Sequence, residues 1–193
     1  MGIISTLVGS EPVSLAEAKA HCRIDLDDDD ILISTLIMVA REYCETVTGR
    51  ALPVQTIEYT FDRWPSGMLY LPRPPVTEIL AFQYLPENET VYTDLVDGTD
   101  YYVDFDSNLA RLTPVTFWPT AVLHPIAGIK VQYTAGYDTV PESYKAAIKL
   151  IVGSFYENRE GVLPAGHIGR ELPMGVMSLL WQDRVFWTED FNK

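Results

Sequence analysis

The stretch that decides the fold runs from Ser14 to Gly49 and reads SLAEAKAHCRIDLDDDDILISTLIMVAREYCETVTG. Ser14 is a favourable N-cap residue, and the Glu17 carboxylate three positions later can bond back to the Ser14 amide. This pattern predicts a short first helix that ends near Arg23 or Ile24. The aspartates that follow predict an acidic turn, and a longer helix begins after it.

The second helix is predicted to be amphipathic. Asp28 or Asp29 can begin it, because carboxylates are favourable at the positive end of a helix, and Gly49 can end it in a left-handed conformation. At about 100° per residue, two apolar residues, Ile31 and Met38, fall on the polar side. They are either isolated exposed residues or contact points for another subunit. The apolar face is predicted to hold Leu32, Ile33, Leu36, Ile37, Val39, Ala40, Tyr43, Cys44 and Val47.

After Pro53 the pattern changes from a helical period to a period of two. Apolar and polar residues alternate from Gln55 to Phe61, which predicts a strand. Short strands with close turns between them indicate a small antiparallel sandwich or barrel. The further strands are predicted at 68–71, 76–85, 101–105, 109–112 and 129–133.

A third helix is predicted after Pro141, because Tyr144, Ile148, Ile151 and Phe155 follow helical spacing. Its apolar stripe is expected to cover the second helix and give a three-helix core. A short apolar helix follows near residues 176–181.

The predicted fold class is therefore α+β, a small helical bundle with an inserted antiparallel β segment. Residues 1–52 and 138–193 are assigned to the helical part with its C-terminal tail, and 53–137 to the β-rich insertion. Residues 1–13 are expected to form an extended arm.

Composition excludes several classes of function. The net charge is −13, with no cluster of Lys and Arg, so specific binding to DNA phosphates is not expected. No apolar run reaches the roughly 20 residues of a membrane span, and the first residues do not resemble a signal peptide. Cys22 and Cys44 are expected to be reduced thiols in a cytoplasmic protein.

The sequence carries no motif of a catalytic, cofactor or metal site. The aspartates from Asp25 to Asp30 lack the glycine and glutamate of a calcium-binding EF-hand loop, and the three histidines are scattered. Phosphate-binding and nucleophile-elbow glycines are also missing. We therefore expect a protein without catalytic residues or cofactors, and not an enzyme.

Several patches resemble the phage head–tail connector family, also called adaptor or head-completion proteins. The first is the capped helix that begins SLAEAK at Ser14, followed by the acidic turn. The second helix then ends in AREYCETVTGRAL, with Ala40 at its start and Leu52 at its end. Further patches are LPRPPV at 71–76, TAGY at 134–137 and YENRE at 156–160. The chain is similar to the longer variant of the family, in which a β-rich segment lies between the helices.

The resemblance implies a structural virion protein at the head–tail junction that occupies the host cytoplasm during assembly. Family members form a homo-oligomeric ring, usually twelvefold, on the portal protein. They extend the DNA channel, through which DNA passes without specific binding, and seat the next stopper or tail protein. A stopper or tail-terminator ring is the alternative within assembly proteins. An acidic DNA mimic with a regulatory role is the alternative from another class, and an uncharacterised hydrolase is a third.

Two surfaces are predicted to make the subunit and portal contacts. A head-to-tail ring requires two different patches on each subunit. One is the outer side of the second helix, and the other is the C-terminal tail, whose aromatic residues and arginine are types found at interface hot spots. The tail could equally fold back on its own core. The predicted contact residues are Ile31, Met38, Arg41, Glu42, Glu45, Leu179, Leu180, Trp181, Arg184, Phe186 and Trp187.

Overall fold

The structure is a computed structural model, and it describes residues 2–158 and 174–185. The chain divides into two compact units. The β unit contains residues 2–9 and 53–138. The helical unit contains residues 10–52, 139–158 and 174–185. The predicted α+β class is confirmed, because helices and antiparallel sheets are both present.

The helical unit contains four helices, and local sequence signals mark the start of the first helix and the end of the second. Ser14 and Glu17 form the predicted capping box, with the Ser14 N–H donating to Glu17 Oε2 at 2.8 Å. Arg23 ends the first helix in a left-handed conformation, and Gly49 ends the second at φ +70°. The helices are α1 Leu15–Cys22, α2 Asp30–Thr48, α3 Glu142–Glu157 and α4 Met174–Trp181.

The core of the helical unit lies along α2. This helix packs against α3 as predicted, and α1 and α4 each contact both of them. The buried residues of α2 recur at helical spacing, among them Ile33, Ile37, Ala40 and Cys44. Leu32 and Val39 differ from the expectation, because they are exposed. The neighbouring helices cover a narrower band of α2 than its apolar residues occupy.

The β unit contains two antiparallel sheets. The larger sheet has the order β1-β2-β8-β4-β5, and the smaller one has the order β3-β7-β6. All neighbouring strands within these two sheets pair antiparallel, and neither sheet closes into a barrel. The strands are β1 Gly2–Leu7, β2 Gln55–Phe61, β3 Leu69–Tyr70, β4 Val76–Tyr84, β5 Thr93–Asp94, β6 Tyr101–Asp104, β7 Arg111–Pro114 and β8 Ile129–Ala135.

Aromatic side chains fill much of the core of the β unit. Alternate residues of β2 and β8 are buried, including Tyr59 and Tyr133. The Tyr133 hydroxyl donates to the Pro72 carbonyl at 2.7 Å, which satisfies its polar end. Trp64 stacks on Trp118 with ring centroids 5.2 Å apart.

Residues 2–9 belong with the β unit, whereas the sequence grouped them with the helices as an extended arm. Gly2–Leu7 forms β1, which pairs with β2 from Gly2 opposite Thr60 to Leu7 opposite Gln55. Backbone pairing with residues 48 to 58 positions away gives no local signal in the sequence. Within 2–158 and 174–185, no helix is long and apolar enough to cross a membrane.

Candidate assembly surfaces

One side of α2 presents apolar residues to solvent. Ile31 is 86% exposed and Met38 is 43% exposed, at positions that lie on the same side of the helix. We call this side the α2 outer surface, and it consists of Ile31, Leu32, Met38, Val39 and Glu42. Three of the predicted contact residues, Ile31, Met38 and Glu42, are thus exposed on this surface.

The acidic turn before α2 is held by specific partners. Lys19 Nζ contacts Asp27 Oδ1 at 2.6 Å and Asp30 Oδ1 at 2.7 Å. Hydrogen bonding from Lys19 lowers the pKa of Asp27, and the same contacts raise the pKa of Lys19. The Tyr156 hydroxyl donates to Asp29 Oδ2 at 2.6 Å, which ties the start of α2 to α3. The described residues contain no group of three or more His, Cys, Asp or Glu side chains that could hold a metal ion.

Arg41 and Glu45, which the sequence placed on the outward side of α2, are buried within the helical unit. They are only 9% and 6% exposed. Arg41 Nη1 contacts Glu45 Oε2 at 2.8 Å, and Arg41 Nε contacts Glu11 Oε2 at 2.9 Å. Glu45 Oε1 also accepts the Leu52 N–H at 2.9 Å. Glu11 precedes α1 and Leu52 follows α2, so this ionic cluster links the segments before and after these two helices.

The charge on Arg41 is maintained by its neighbours. Burial disfavours the charged guanidinium, but the carboxylates of Glu45 and Glu11 outweigh this effect, so the pKa of Arg41 is raised. The Arg41 guanidinium contacts three carboxylates inside the unit, those of Glu11, Glu42 and Glu45. Arg41 and Glu45 therefore act in the structure as internal supports of α2.

The predicted C-terminal contact residues divide between the core and the surface. Leu180 is fully buried and Leu179 is half-buried, so this part of the tail folds back on the helical unit. Trp181 is 55% exposed, and the Arg184 guanidinium lies 4.9 Å from its ring centroid. Phe186 and Trp187 lie outside the described residues. We call the exposed part the Trp181–Arg184 pair.

Sequence reasoning missed the exposed apolar residues on loops of the β unit. The loops 86–92 and 122–127 lie together, because the Glu87 N–H donates to the Val122 carbonyl at 2.8 Å and the Tyr92 hydroxyl donates to the Ala127 carbonyl at 2.8 Å. Their exposed apolar side chains are Val91, Val122 and Ile126. Irregular segments have no period from which exposure could be read.

The family comparison matches the part of the chain that contains α1 and α2. Residues 12–73 match the sequence profile of the phage gp6-like head-tail connector protein family. This segment belongs to the phage head–tail connector family. The resemblance identified from the residues between Ser14 and Leu52 is thereby confirmed.

Solved structures match nearly the whole chain. A chain from the neck of an empty GTA particle, computed with C6 symmetry, has a TM-score of 0.77 and 21% identity over 98% of this chain and 100% of that one. A chain from the virion of a native gene transfer agent (GTA) particle also gives 0.77 and 21%, over 96% and 97%. A chain from the neck of a native GTA particle, computed with C12 symmetry, gives 0.71 and 20%, over 98% and 100%. These likenesses establish a shared fold. No curated protein matches the sequence.

Proposed function

We propose that this connector chain is a non-enzymatic structural subunit of the head–tail junction of a phage-like particle. The observation that carries the proposal is the fold likeness over 98% of the chain to a chain from a GTA neck. The connector family match over residues 12–73 supports it independently, since it rests on sequence. The protein would occupy the host cytoplasm until it is incorporated into the virion.

The subunits would form a ring on the portal, with twelve copies in the particle. Neck structures computed with C6 and C12 symmetry contain repeated subunits, which supports a ring. A ring built from identical subunits needs two different surfaces that fit each other. The α2 outer surface offers apolar residues beside an acidic turn, and the Trp181–Arg184 pair offers an aromatic ring with a cation. Their charges and residue types are complementary.

The ring would extend the DNA channel and seat the next stopper or tail protein. DNA would pass through it without specific binding, because the chain carries a net charge of −13 and phosphate binding requires clustered cations. An acidic lining would repel the phosphates and so would not hold the DNA in place.

The ring contact can be tested with two classes of interface variant. Ile31→Glu and Met38→Glu place a charge on the α2 outer surface, and Trp181→Ala removes the exposed ring of the other surface. Rings are counted by negative-stain microscopy and mass photometry. If the wild-type protein forms rings only when the portal is present, the portal is added to every sample. We expect each variant to lose rings. Val96→Glu, an exposed apolar residue of the β unit, is the matched control and should retain them.

Mixing the variants tests whether the contact is head-to-tail. The Ile31→Glu subunit retains its Trp181 surface, and the Trp181→Ala subunit retains its α2 outer surface. In a mixture, the intact Trp181 surface of one variant can therefore bind the intact α2 outer surface of the other. Both remaining surfaces of such a pair are altered, so assembly should stop at dimers of the two variants. Rings formed by either variant alone would show that its surface is not the ring contact.

Particle assembly tests the function itself. Deleting the gene should leave DNA-filled heads and separate tails, counted by electron microscopy, and expression of the protein from a plasmid should restore joined particles. A pull-down with the portal should recover the wild-type protein. Heads that join tails without this protein would contradict the connector function, and binding to the tail side alone would indicate a terminator ring.

A further inference from the structure

Among the described residues, no strand pairs with one edge of β1, and nothing in the sequence of β1 protects that edge. It is the first strand of the five-stranded sheet, and among the described residues it pairs only with β2. Ile3, Ile4, Leu7 and Val8 are all exposed. An exposed, apolar edge strand is a template for pairing with another chain.

The hydrogen bonds to β2 determine which backbone groups of β1 point away from the sheet. The Val8 N–H donates to the Val54 carbonyl at 3.0 Å, in the position that continues the β1–β2 register. Because hydrogen-bonded pairs alternate along an antiparallel ladder, Gly2, Ile4 and Thr6 bond to β2. The N–H and C=O groups of Ile3, Ser5 and Leu7 therefore face the open edge.

The other edge of the same sheet is protected. Two register shifts interrupt β4 between Val76 and Ala81, and bulges of this kind twist an edge away from partners. Pro74 and Pro75 precede β4, exposed Glu78 adds a charge, and β5 covers its far end. In β1, by contrast, residues 2–10 contain no charged residue and no proline.

We propose that β1 pairs antiparallel with β1 of a second copy of this chain, about a two-fold axis at Ser5. The outward-facing residues suit this arrangement, because Ile3 then lies opposite the partner's Leu7, and Ser5 lies opposite the partner's Ser5. On the other face, Ile4 lies opposite the partner's Thr6. Each of the three outward-facing residues exchanges two hydrogen bonds with its partner.

The charge distribution favours a second copy as the occupant. Two chains that each carry −13 repel one another over most of their surfaces. The segment 2–10 is uncharged, so this edge allows two copies to meet without like charges opposed. A pairing of two six-residue strands buries less than about 1,200 Å² in total, which is typical of a weak, reversible contact.

This contact is separate from the proposed ring. A two-fold contact closes after two copies, and it cannot repeat around a ring of subunits that all point the same way. The β1 pair therefore joins two copies that are not neighbours within one ring, and it is an interaction beyond the connector function. Variants at Ile31 should leave the β1 pair intact, and variants at Ser5 should leave ring formation intact.

Disulfide trapping tests the register of the β1 pair. In a Cys22→Ser background, Ser5→Cys places two thiols at directly opposed positions, with Cα atoms about 5.5 Å apart, which is within the range of a disulfide. Ile3→Cys and Leu7→Cys are the matched controls, since each residue is about 13 Å from its own copy. A mixture of these two variants should cross-link, because Ile3 faces the partner's Leu7. The native Cys44 is buried.

The expected result is covalent dimer from Ser5→Cys, and from the Ile3→Cys and Leu7→Cys mixture, under mild oxidation on non-reducing gels. Neither control alone should form it at more than about a tenth of that rate. Equal rates for all variants would indicate random collision and would overturn the proposal, as would no dimer from any of them. Circular dichroism and Tm confirm that each variant is folded.

Proline substitution tests the hydrogen bonds without new thiols. Ser5→Pro removes an N–H that faces the open edge and leaves the β1–β2 bonds in place. It should weaken dimerisation more than about tenfold in sedimentation experiments, because hydrogen bonds are lost and the ring obstructs pairing. Thr6→Pro removes an N–H that bonds to β2 and should lower Tm instead. A wild-type protein that stays monomeric at the highest soluble concentration would overturn the proposal.

Discussion

The helical unit and the β unit satisfy the hydrogen-bonding groups of their buried backbone in different ways. In the β unit, ladders satisfy the backbone, and the interior is filled with rings such as Tyr59, Tyr133 and Trp64. In the helical unit, irregular segments run beside α2, and a buried ion pair accepts the Leu52 N–H. The difference shows that the irregular segments beside α2 depend on a few charged contacts, whereas the β unit depends on close backbone packing and aromatic contacts.

The largest loss of unfolding free energy is expected from a substitution where two backbone segments of the β unit are in contact. Gly136 has a φ of +114°, and a Cβ atom there would collide with the Pro53 carbonyl. Gly136→Ala should therefore cost more than about 3 kcal/mol of unfolding free energy, since backbone strain and a steric clash add. Urea unfolding followed by circular dichroism measures it.

The matched control for that substitution is Gly98→Ala. Gly98 has a φ of +74°, but no atom lies within 4 Å of its Cβ position. Only the conformational cost of about 1–2 kcal/mol should appear. Equal losses for the two variants would contradict the role of close packing between Gly136 and Pro53.

The next largest loss of unfolding free energy is expected in the helical unit, when one member of the buried ion pair is neutralised. Glu45→Gln leaves the Arg41 charge without its nearest partner inside the unit, and should cost about 3 kcal/mol. Glu42→Gln, on the exposed neighbour of Arg41, should change the unfolding free energy by less than about 0.5 kcal/mol. Thermal denaturation of both variants at one pH tests the comparison, and similar Tm values would contradict it.

The aromatic contacts of the β unit should give a smaller loss. Trp118 stacks on Trp64, and its indole N–H donates to the Gly67 carbonyl at 2.8 Å. Because Trp118 is partly accessible, Trp118→Ala should cost about 2 kcal/mol, below the range for fully buried rings. Phe117→Ala changes a residue that is 85% exposed and should be nearly neutral. Chemical denaturation would reject the role of stacking if both variants behaved like the wild-type protein.

The smallest effect is expected at the capping box of α1. Hydrogen bonds from the backbone and side chain of Ser14 lower the pKa of Glu17, so the folded state favours the carboxylate. Its contribution is present above the unfolded-state pKa of glutamate and is lost as the pH falls through the lowered folded-state pKa. Ser14→Ala should cost about 1 kcal/mol near neutral pH.

The pH dependence separates the capping box from other carboxylates. Between about pH 7 and about pH 3, the wild-type protein should lose slightly more Tm than Glu17→Gln does, because only the wild-type protein has this carboxylate to protonate. Calorimetry over this range makes the measurement. Identical pH profiles would show that Glu17 contributes nothing to helix capping.

Local signals allowed the helix ends and the main strands to be predicted from the sequence. Ser14, Glu17 and Gly49 act within one turn of the helices that they begin or end, and the alternation from Gln55 to Phe61 records the two faces of β2. These features depend on neighbouring residues, so they can be read without knowledge of the fold.

Features that depend on distant residues could not be predicted. Arg41 and Glu45 are normally surface residue types, and their burial depends on Glu11, which is 30 positions from Arg41. Likewise, Gly2–Leu7 becomes a strand because β2 pairs with it. The extent of the α2 outer surface could not be predicted for the same reason, since the exposure of Leu32 and Val39 depends on how much of α2 the other helices cover.

The close approach of Pro53 and Tyr137 has a consequence for how such chains can vary in length. These residues form a parallel bridge at the two ends of the segment that carries seven of the eight strands. A module whose first and last residues are neighbours can be lengthened, shortened or exchanged without changing the gap that its flanking helices must span. Replacing residues 54–136 with a short turn would leave α2 and α3 connected, and would offer a way to study the four-helix part alone.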